Sequence, residues 1–363
     1  MPRRRNKKHI LQRQYFNPRA PGSYGGIENL YREVKKHRLK RKDVKEWLNQ
    51  QDVYALHKPV RKNFKRNKVV VSDIDSQWQA DLVSMIDLSK ENDGIKYILT
   101  VIDVLSKYAW CCGLRNKTGT AVATAFQRIF EEDHRTPIKI QTDRGKEFLN
   151  KEVKQLFDKY KIRHFVSSDT VKCSLVERFN RTLKTKMWRY LTKRNTFRYI
   201  DILPNLVYSY NHTYHSSIRC RLADVTKQNS LKIWKNLYYE YFSSKKIKPK
   251  FKIGDDVRIS KYKGTFSKGY EQSYTDEIFT IYDINTRGLR PLYKLKDLAD
   301  DPIDGSFYAE EIQKVPPDQN RIYRIEKIIK RKNIDGINLF FVKWMGYPPK
   351  FNCWIEENQL TDL

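Results

Sequence analysis

The chain is short of cysteine, short of acidic residues, and without any long apolar run. Its five cysteines are an odd number, with Cys111 and Cys112 adjacent and no CxxC pair. They suit neither a disulfide framework nor a zinc knuckle, and a reducing compartment is expected. No apolar stretch approaches the roughly 18 residues that cross a bilayer. MPRRRNKK is followed by no apolar leader segment, so a soluble chain is expected. Asp and Glu number 42 against 72 Lys and Arg, a net charge of +30. Such a surplus repels itself and is best accounted for by a partner dense in phosphate.

What is present supports folding. Hydrophobic residues make up 39% of the 363 positions and aromatics 13%, which is unlike a disordered basic tail. At about 150 residues per domain the length predicts two or three domains, or more if they are small. Residues 1–70 hold 21 Lys and Arg against 5 Asp and Glu, more than half of the total surplus. Residues 1–20 read as a basic arm. Residues 21–66 read as a helical N-terminal domain and linker, with Ile27, Leu30, Tyr31 and Val34 on one helix and Val44, Trp47 and Leu48 on another. Two readings are open for that pair, a DNA-binding helix-turn-helix and two amphipathic helices that pack together.

Residues 67–243 have mixed α/β texture. Two β-rich stretches, SQWQADLVSMIDL and KYILTVIDVLSKYAWCCGL, flank a turn at Asn92, Asp93 and Gly94, which predicts adjacent antiparallel strands. A helix over 119–132, the strand PIKIQ, a helix over 151–159 and a long helix over about 174–193 follow, then a helix over about 199–212, and residues 234–242 close the segment. Residues 250–316 read as a small SH3-like β-barrel ended by Pro316 and Pro317. Residues 320–363 read as a separate three-stranded module with a turn at Asp335 and Gly336.

Three acids fit two-metal phosphoryl transfer, which needs converging hard oxygen ligands. Asp81 lies mid-strand among Trp78, Leu82 and Val83, where an unpaired charge is costly. Asp143 ends the PIKIQT strand and Glu177 opens the long helix. Arg181 and Lys184, four and seven places on, share the Glu177 face. The bland alternative is a solvated stripe with Glu177 and Arg181 as an ion pair. Asp103 is the rival acid, read as structural, and Glu147 is read as a local hydrogen-bonding residue.

WQAD, VIDVLSKYAW, QTDRGKEF and VERFNRTLK together resemble the integrase superfamily with an RNase H-like catalytic core. The resemblance implies a catalytic and metal-binding triad of Asp81, Asp143 and Glu177. It also implies two Mg²⁺ or Mn²⁺ ions, and Asn180, Arg181 and Lys184 near DNA. The 33 residues between Asp143 and Glu177 are slightly fewer than in retroviral enzymes, a difference that falls in a loop. YGGIENLYREV, ALHKPVRKNF and FYAEEIQKV are most similar to integrases of Polinton (Maverick) transposons and related virophages. The zinc domain of retroviral integrases has no counterpart, because His9, His37 and His57 have no matching CxxC, and no structural zinc is expected.

The final module, through IYRIEKI and VKWMGY, resembles a chromodomain. Tyr323, Trp344 and Tyr347 match the positions of an aromatic cage, which would attract a methylated ammonium to its ring faces. The alternative is that Trp344 and its neighbours, Trp354 included, form the module's own core.

The expected protein is therefore a multidomain, nuclear, multimeric DNA integrase, a tetramer by resemblance. It would trim element 3′ ends and join them to target DNA, with chromatin as a further partner through a methylated histone tail. The alternatives are a domesticated, catalytically inactive DNA- or chromatin-binding protein and an RNase H-type nuclease.

Overall fold

Residues 2–16, expected as part of a basic arm, form a helix. This helix α1 (Pro2–Phe16) is followed by α2 (Ile27–Val34), α3 (Arg41–Leu48) and α4 (Asp52–His57). Leu11 and Tyr15, four places apart on α1, are buried with Leu30 and Val34 of α2 and Val44, Trp47 and Leu48 of α3. Their spacing was masked by the surrounding Lys and Arg. The expected helix pair is thus a helix cluster in which α1 supplies one wall. Asp43 closes the first turn of α3, accepting from the Lys40 amide at 2.9 Å and from Lys7 Nζ at 3.2 Å.

The computed structural model describes residues 2–61, 63–166, 173–261, 268, 270–315 and 323–360. Pro316 and Pro317, expected to end the barrel, lie outside them. The chain forms two compact units, residues 67–246 on the one hand and 1–66 with 247–363 on the other.

In the first unit β1 (Trp78–Ser84), β2 (Tyr97–Asp103) and β3 (Ala109–Leu114) form an antiparallel meander. β4 (Lys139–Thr142) and β5 (Arg163–Val166) extend it in parallel, giving the order β3-β2-β1-β4-β5. The helices are α5 (Gly119–Glu132), α6 (Lys151–Lys159), α7 (Ser174–Arg194), α8 (Leu203–Asn211) and α9 (Ser230–Ser243), with a short pair β6 (Tyr214–His215) and β7 (Cys220–Arg221) before α9. The single helix expected over 199–212 divides into a 3₁₀ turn, Ile200–Ile202, and α8.

Alternation along β1 sorts its two faces. Trp78 and Ala80 pack against Val122, Phe126 and Ile129 of α5 and Val153 and Phe157 of α6. Val83, with Ile98 and Ile102 of β2, packs against Val176, Phe179 and Leu183 of α7. Thr118 and Asn150 cap α5 and α6 through bonds from Ala121 N at 3.3 Å and Val153 N at 2.9 Å. Gly119 is required here, since a Cβ would stand 2.5 Å from Asn150 Oδ1. Asn92, read as a turn residue, is fully buried and does more. Its Oδ1 accepts from Tyr199 N at 2.7 Å and Ile200 N at 3.0 Å, tying the β1–β2 connection to the segment after α7.

The second unit continues with β8 (Asp256–Ile259), β9 (Phe279–Asn285), β10 (Leu292–Lys296) and β11 (Ile312–Lys314), in the order β10-β9-β8-β11. The expected SH3-like barrel is not closed among the described residues. The free edge of β10 is taken by irregular chain, through bridges of Tyr293 to Phe307 and Lys296 to Pro302, instead of by the three-residue β11. The helix cluster packs on this sheet. Leu56 O accepts from Ser273 N at 2.7 Å, and Asp52 pairs with the buried Arg258 at 3.1 Å.

The last module is β12 (Ile325–Ile334), β13 (Ile337–Trp344) and β14 (Cys353–Glu356), antiparallel throughout. Asp335 and Gly336 both take positive φ, 51° and 79°, as a two-residue hairpin turn demands. Trp354, expected in the core, is 38% exposed. It pairs across the strands with Phe341, and their rings lie 5.3 Å apart on the face opposite the buried Val342 and Ile355.

Candidate active site

The register of β1 and β4 explains why two acids distant in sequence meet. Trp78 lies beside Ile140 and Gln79 beside Gln141 in a parallel pair. Continuing that register by two places sets Asp143, just past β4, level with Asp81 on the neighbouring strand. Strands in a sheet are about 4.8 Å apart.

Glu177 reaches the same face because of how α7 is anchored. The helix has no side-chain bond from its own N-cap, Cys173. Its free amides are met by Gln79, whose Oε1 accepts from Leu175 N at 3.1 Å and Val176 N at 3.3 Å. Gln79 Nε2 in turn donates to Gln141 Oε1 at 2.9 Å, as does Gln77 Nε2 at 3.1 Å. Gln79 and Gln141 are both buried. Each precedes an acid by two places, Gln79 before Asp81 and Gln141 before Asp143. The repeated Gln-x-Asp spacing was the available sequence signal for these two residues, which reading the acids alone missed.

Gln79→Leu removes the α7 anchor while keeping a similar volume, and takes the acceptor from the Leu175 and Val176 amides. A buried polar group so orphaned costs about 1–3 kcal/mol. If Glu177 acts from α7, displacing that helix is expected to lower activity roughly 10- to 100-fold, the usual effect of losing a residue that orients a ligand. Gln79→Glu, which keeps the acceptor, is expected to retain more of it. Equal losses in both variants would show that the anchor is not what matters.

Asp81 is half-buried on β1. Leu82 N donates to its Oδ1 at 2.8 Å and Asn180 Nδ2 to its Oδ2 at 2.7 Å. Burial pushes its carboxyl pKa up. The Leu82 amide opposes this, the charges of Asp143 and Glu177 push it further, and Lys184 pulls it back. Asp143 and Glu177 therefore both lie close enough to act on Asp81. Asp143 Oδ1 accepts from Gly145 N at 3.0 Å. A Cβ on Gly145 would stand 2.7 Å from Glu147 Cδ and 2.9 Å from Asp143 Oδ1, so only glycine lets this loop hold both acids close. Among the described residues no three His, Cys, Asp or Glu side chains close into a ready-made metal cage. The donor set nevertheless fits a hard divalent ion, being carboxylate oxygens whose mutual repulsion a cation would relieve.

Asn180, expected near DNA, is buried and donates to Asp81, with its own Oδ1 lacking a partner. Arg181 and Lys184 are exposed on α7. The Glu177–Arg181 ion pair weighed from the sequence is not among the ion pairs of the described residues. Asp103 is fully buried, and its oxygens accept from Asp75 N at 3.1 Å and from Ser106 N at 2.7 Å. That closes a turn and leaves it no role among the three acids.

In the last module Tyr323 stands 6.1 Å from the Trp344 ring and 5.9 Å from the Tyr347 ring, both at steep angles. The three aromatics expected as a cage do come together. Tyr323 is open to solvent and Tyr347 buried, and burial raises the Tyr347 phenol pKa.

Parts of the chain are similar to known proteins. Residues 50–170 match the integrase core domain, and residues 323–363 match the chromo (chromatin organisation modifier) domain. A transposon-derived protein of Caenorhabditis elegans is 37% identical over 190 residues, which is 52% of this chain and 64% of that protein. The chain thus spans just under two thirds of that relative's length. A chain of the simian T-cell lymphotropic virus intasome, solved in complex with PP2A regulatory subunit B56 gamma, superposes with a TM-score of 0.56 at 13% identity. The match covers 82% of this chain and 97% of that one, a likeness of fold. The HTLV-2 integrase catalytic core domain, solved with magnesium, matches 42% of this chain and 95% of its own at 19% identity and a TM-score of 0.36. The fold is thus a mixed sheet with helices, as in the structures it resembles, followed by a β-rich region whose last residues match the chromo domain.

Proposed function

We propose that this protein is a mobile-element DNA integrase that trims element 3′ ends and joins them to target DNA. The observation that supports this reading is the approach of Asp143 and Glu177 to Asp81, through strand register and the Gln79 anchor. The transposon-derived relative and the integrase core match support the same class.

Asp81 and Asp143 would hold one divalent ion, Mg²⁺ or Mn²⁺, and Asp81 and Glu177 a second. When bound, such ions supply the acidity that activates an attacking hydroxyl and steadies the leaving oxygen. Asn180 holds Asp81 in place, and the Leu82 amide fixes its other oxygen. Arg181 and Lys184, on the exposed face of α7, would take the phosphates of the DNA strand that crosses the acids. No covalent protein intermediate and no ATP are needed. The Polinton-type resemblance supports action on a DNA transposon's ends in the nucleus. Joining two ends in one event calls for a multimer, proposed as a tetramer. Tyr323, Trp344 and Tyr347 would hold a methylated lysine of a histone tail. Heat on titrating a trimethyl-lysine peptide, lost in Trp344→Ala, is the expected result, and no heat in either would remove the cage.

The test is incubation with Mg²⁺ or Mn²⁺, a duplex carrying element ends and a supercoiled plasmid, beside Glu177→Gln. Covalently joined DNA from the wild type alone is expected. Binding without joining, with both metals and authentic ends, would replace this reading with that of an inactive DNA-binding protein.

A further inference from the structure

A cavity of about 820 Å³ opens in the second unit, where the end of the helix cluster meets the β8–β11 sheet. Its size falls in the roughly 300–1,000 Å³ range of small-molecule sites. Asn49 and Gln50 of the α3–α4 connection line it, with Lys58 and Arg61 from the chain just past α4. Lys248 and Lys250 line it from the segment before β8. Phe251 and Tyr293, whose rings lie 5.4 Å apart, give it apolar lining. Both basic segments are held in place by backbone bonds. Leu56 O accepts from Ser273 N at 2.7 Å and from Tyr274 N at 3.2 Å, which fixes the end of α4 on the sheet. Tyr293 Oη accepts from Lys250 N at 2.8 Å, and Leu289 O from Ile247 N at 2.9 Å, which fixes the other segment beside β10.

Lys58, Arg61, Lys248, Lys250, Arg290 and Lys314 all line this cavity, and Glu310 is the one acid among its described lining residues. Arg290 pairs with Glu310 at 2.7 Å, and Lys314 with Asp255 at 2.5 Å. The other four cations take part in no ion pair among the described residues. Lys58 is half-buried, and its amine donates to Asn49 Oδ1 at 3.3 Å. Burial, and then the charges of Lys250 and Lys45, hold that amine below the ordinary lysine pKa. Lysines spread over a convex surface would each be solvated separately. Gathered around a recess they repel one another, and an anion placed between them removes that cost.

We propose that this cavity is a nucleotide-binding site, with phosphate held by Lys58, Arg61, Lys248 and Lys250 and the base in the recess beside Phe251 and Tyr293. A ligand with dense negative charge and a flat, largely apolar body matches cations around an apolar recess. The amides of Asn49, Gln50 and Gln313, which also line the cavity, can donate and accept as base edges require. A duplex presents its phosphates on a convex surface and cannot enter a recess of this size, so the occupant is a free nucleoside triphosphate or an unpaired nucleotide of a DNA strand. Only the second source rests on the integrase reading.

The test titrates the full chain in EDTA, by calorimetry, with deoxyadenosine triphosphate, with a short single-stranded DNA and with a blunt duplex of the same length. Heat from the triphosphate, the single strand or both is expected. Lys250→Gln should weaken that binding roughly tenfold, the lower end of what a hydrogen bond to a charged group contributes. Lys250→Arg should recover most of it. Gln50→Trp, at an exposed lining position, keeps the charge and fills the recess. It is expected to abolish binding of triphosphate and single strand while leaving duplex binding and the thermal midpoint unchanged.

Binding of the triphosphate alone would assign the site to a free nucleotide, and a single strand that binds and displaces the triphosphate would assign it to the strand. Wild-type binding by Gln50→Trp would overturn the proposal, because the ligand would then lie outside the recess. So would inorganic triphosphate competing as well as the nucleoside triphosphate, which would mean charge attraction with no base held, and so would no heat from either ligand. The measurement needs neither a divalent ion nor a joined product, so failure of the joining reaction and failure of this site are read separately.

Discussion

Asp81→Asn is expected to lower DNA joining by roughly 10²- to 10³-fold or more, the scale seen when one group stabilising developing charge is removed, while making the metal-free protein more stable at pH 7. The two effects have one cause. Asp81 is half-buried beside Asp143 and Glu177, and its pKa is raised above the ordinary 3.8, chiefly by burial. A raised carboxyl holds its proton in the folded protein at pH values where the unfolded chain has released it. Stability therefore falls as pH rises from about the unfolded value through the folded one, and stays lower beyond it. Asparagine cannot ionise and escapes that loss, and its Oδ1 can still accept from Leu82 N. The expected thermal midpoint in EDTA is higher for Asp81→Asn than for the wild type at pH 7, with the gap closing below the unfolded value.

Added Mg²⁺ should reverse the order. A ligand that binds only the folded state contributes about 2.7 kcal/mol at a hundred times its Kd. The wild type should gain with Mg²⁺, and Asp81→Asn, lacking a ligand, should gain much less. Calorimetric scans of both proteins with and without Mg²⁺ check this. A variant that joins DNA at the wild-type rate, or that is less stable than wild type in EDTA, would sink the assignment of Asp81.

Trp78→Ala is expected to destabilise residues 67–246 by about 3–5 kcal/mol, as for other large aromatics removed from a core. Trp78 is fully buried, and its ring lies 4.2 Å from Trp110 and 5.9 Å from Phe130. Its indole nitrogen donates at 2.9 Å to Asp75, which is also held by Arg135 at 2.7 Å. A domain's whole stability is about 5–15 kcal/mol, so this is a large share of it. Hydrogen exchange of the β1 and β2 amides in the full chain reads the effect on this unit. Trp188→Ala on α7, where the ring is 47% exposed, is the contrast and should change protection by no more than about 0.5 kcal/mol. Similar losses in both would mean that the indole's burial is not what stabilises the sheet.

Much of this was open to reading because the relevant signals are local. Helices α5 and α6 carry apolar residues at helical spacing and have Thr118 and Asn150 where caps belong, and the sequence-based ranges agree with theirs. Asp335–Gly336 marks its hairpin by composition alone. The acids stood out because a charge in mid-strand is unfavourable unless something answers it. Other features gave no local signal. Leu11 and Tyr15 are two apolar positions in a basic stretch, and only the partners on α2 and α3 make α1 part of a core. The barrel failed to close among the described residues because residues 302–307 reach the edge of β10, a long-range competition that strand patterning does not encode.

The sequence by itself determined the charge that calls for a polyanion, the three acids, the three aromatics and most of the elements that carry them. Composition and periodicity act over a few residues, and those properties are fixed over a few residues. Tertiary structure alone decided that Asp143 stands level with Asp81, that Asn180 supports Asp81, and that Gln79 secures the start of α7. Each of those depends on the register or approach of elements far apart in the chain, which packing sets and local patterning does not.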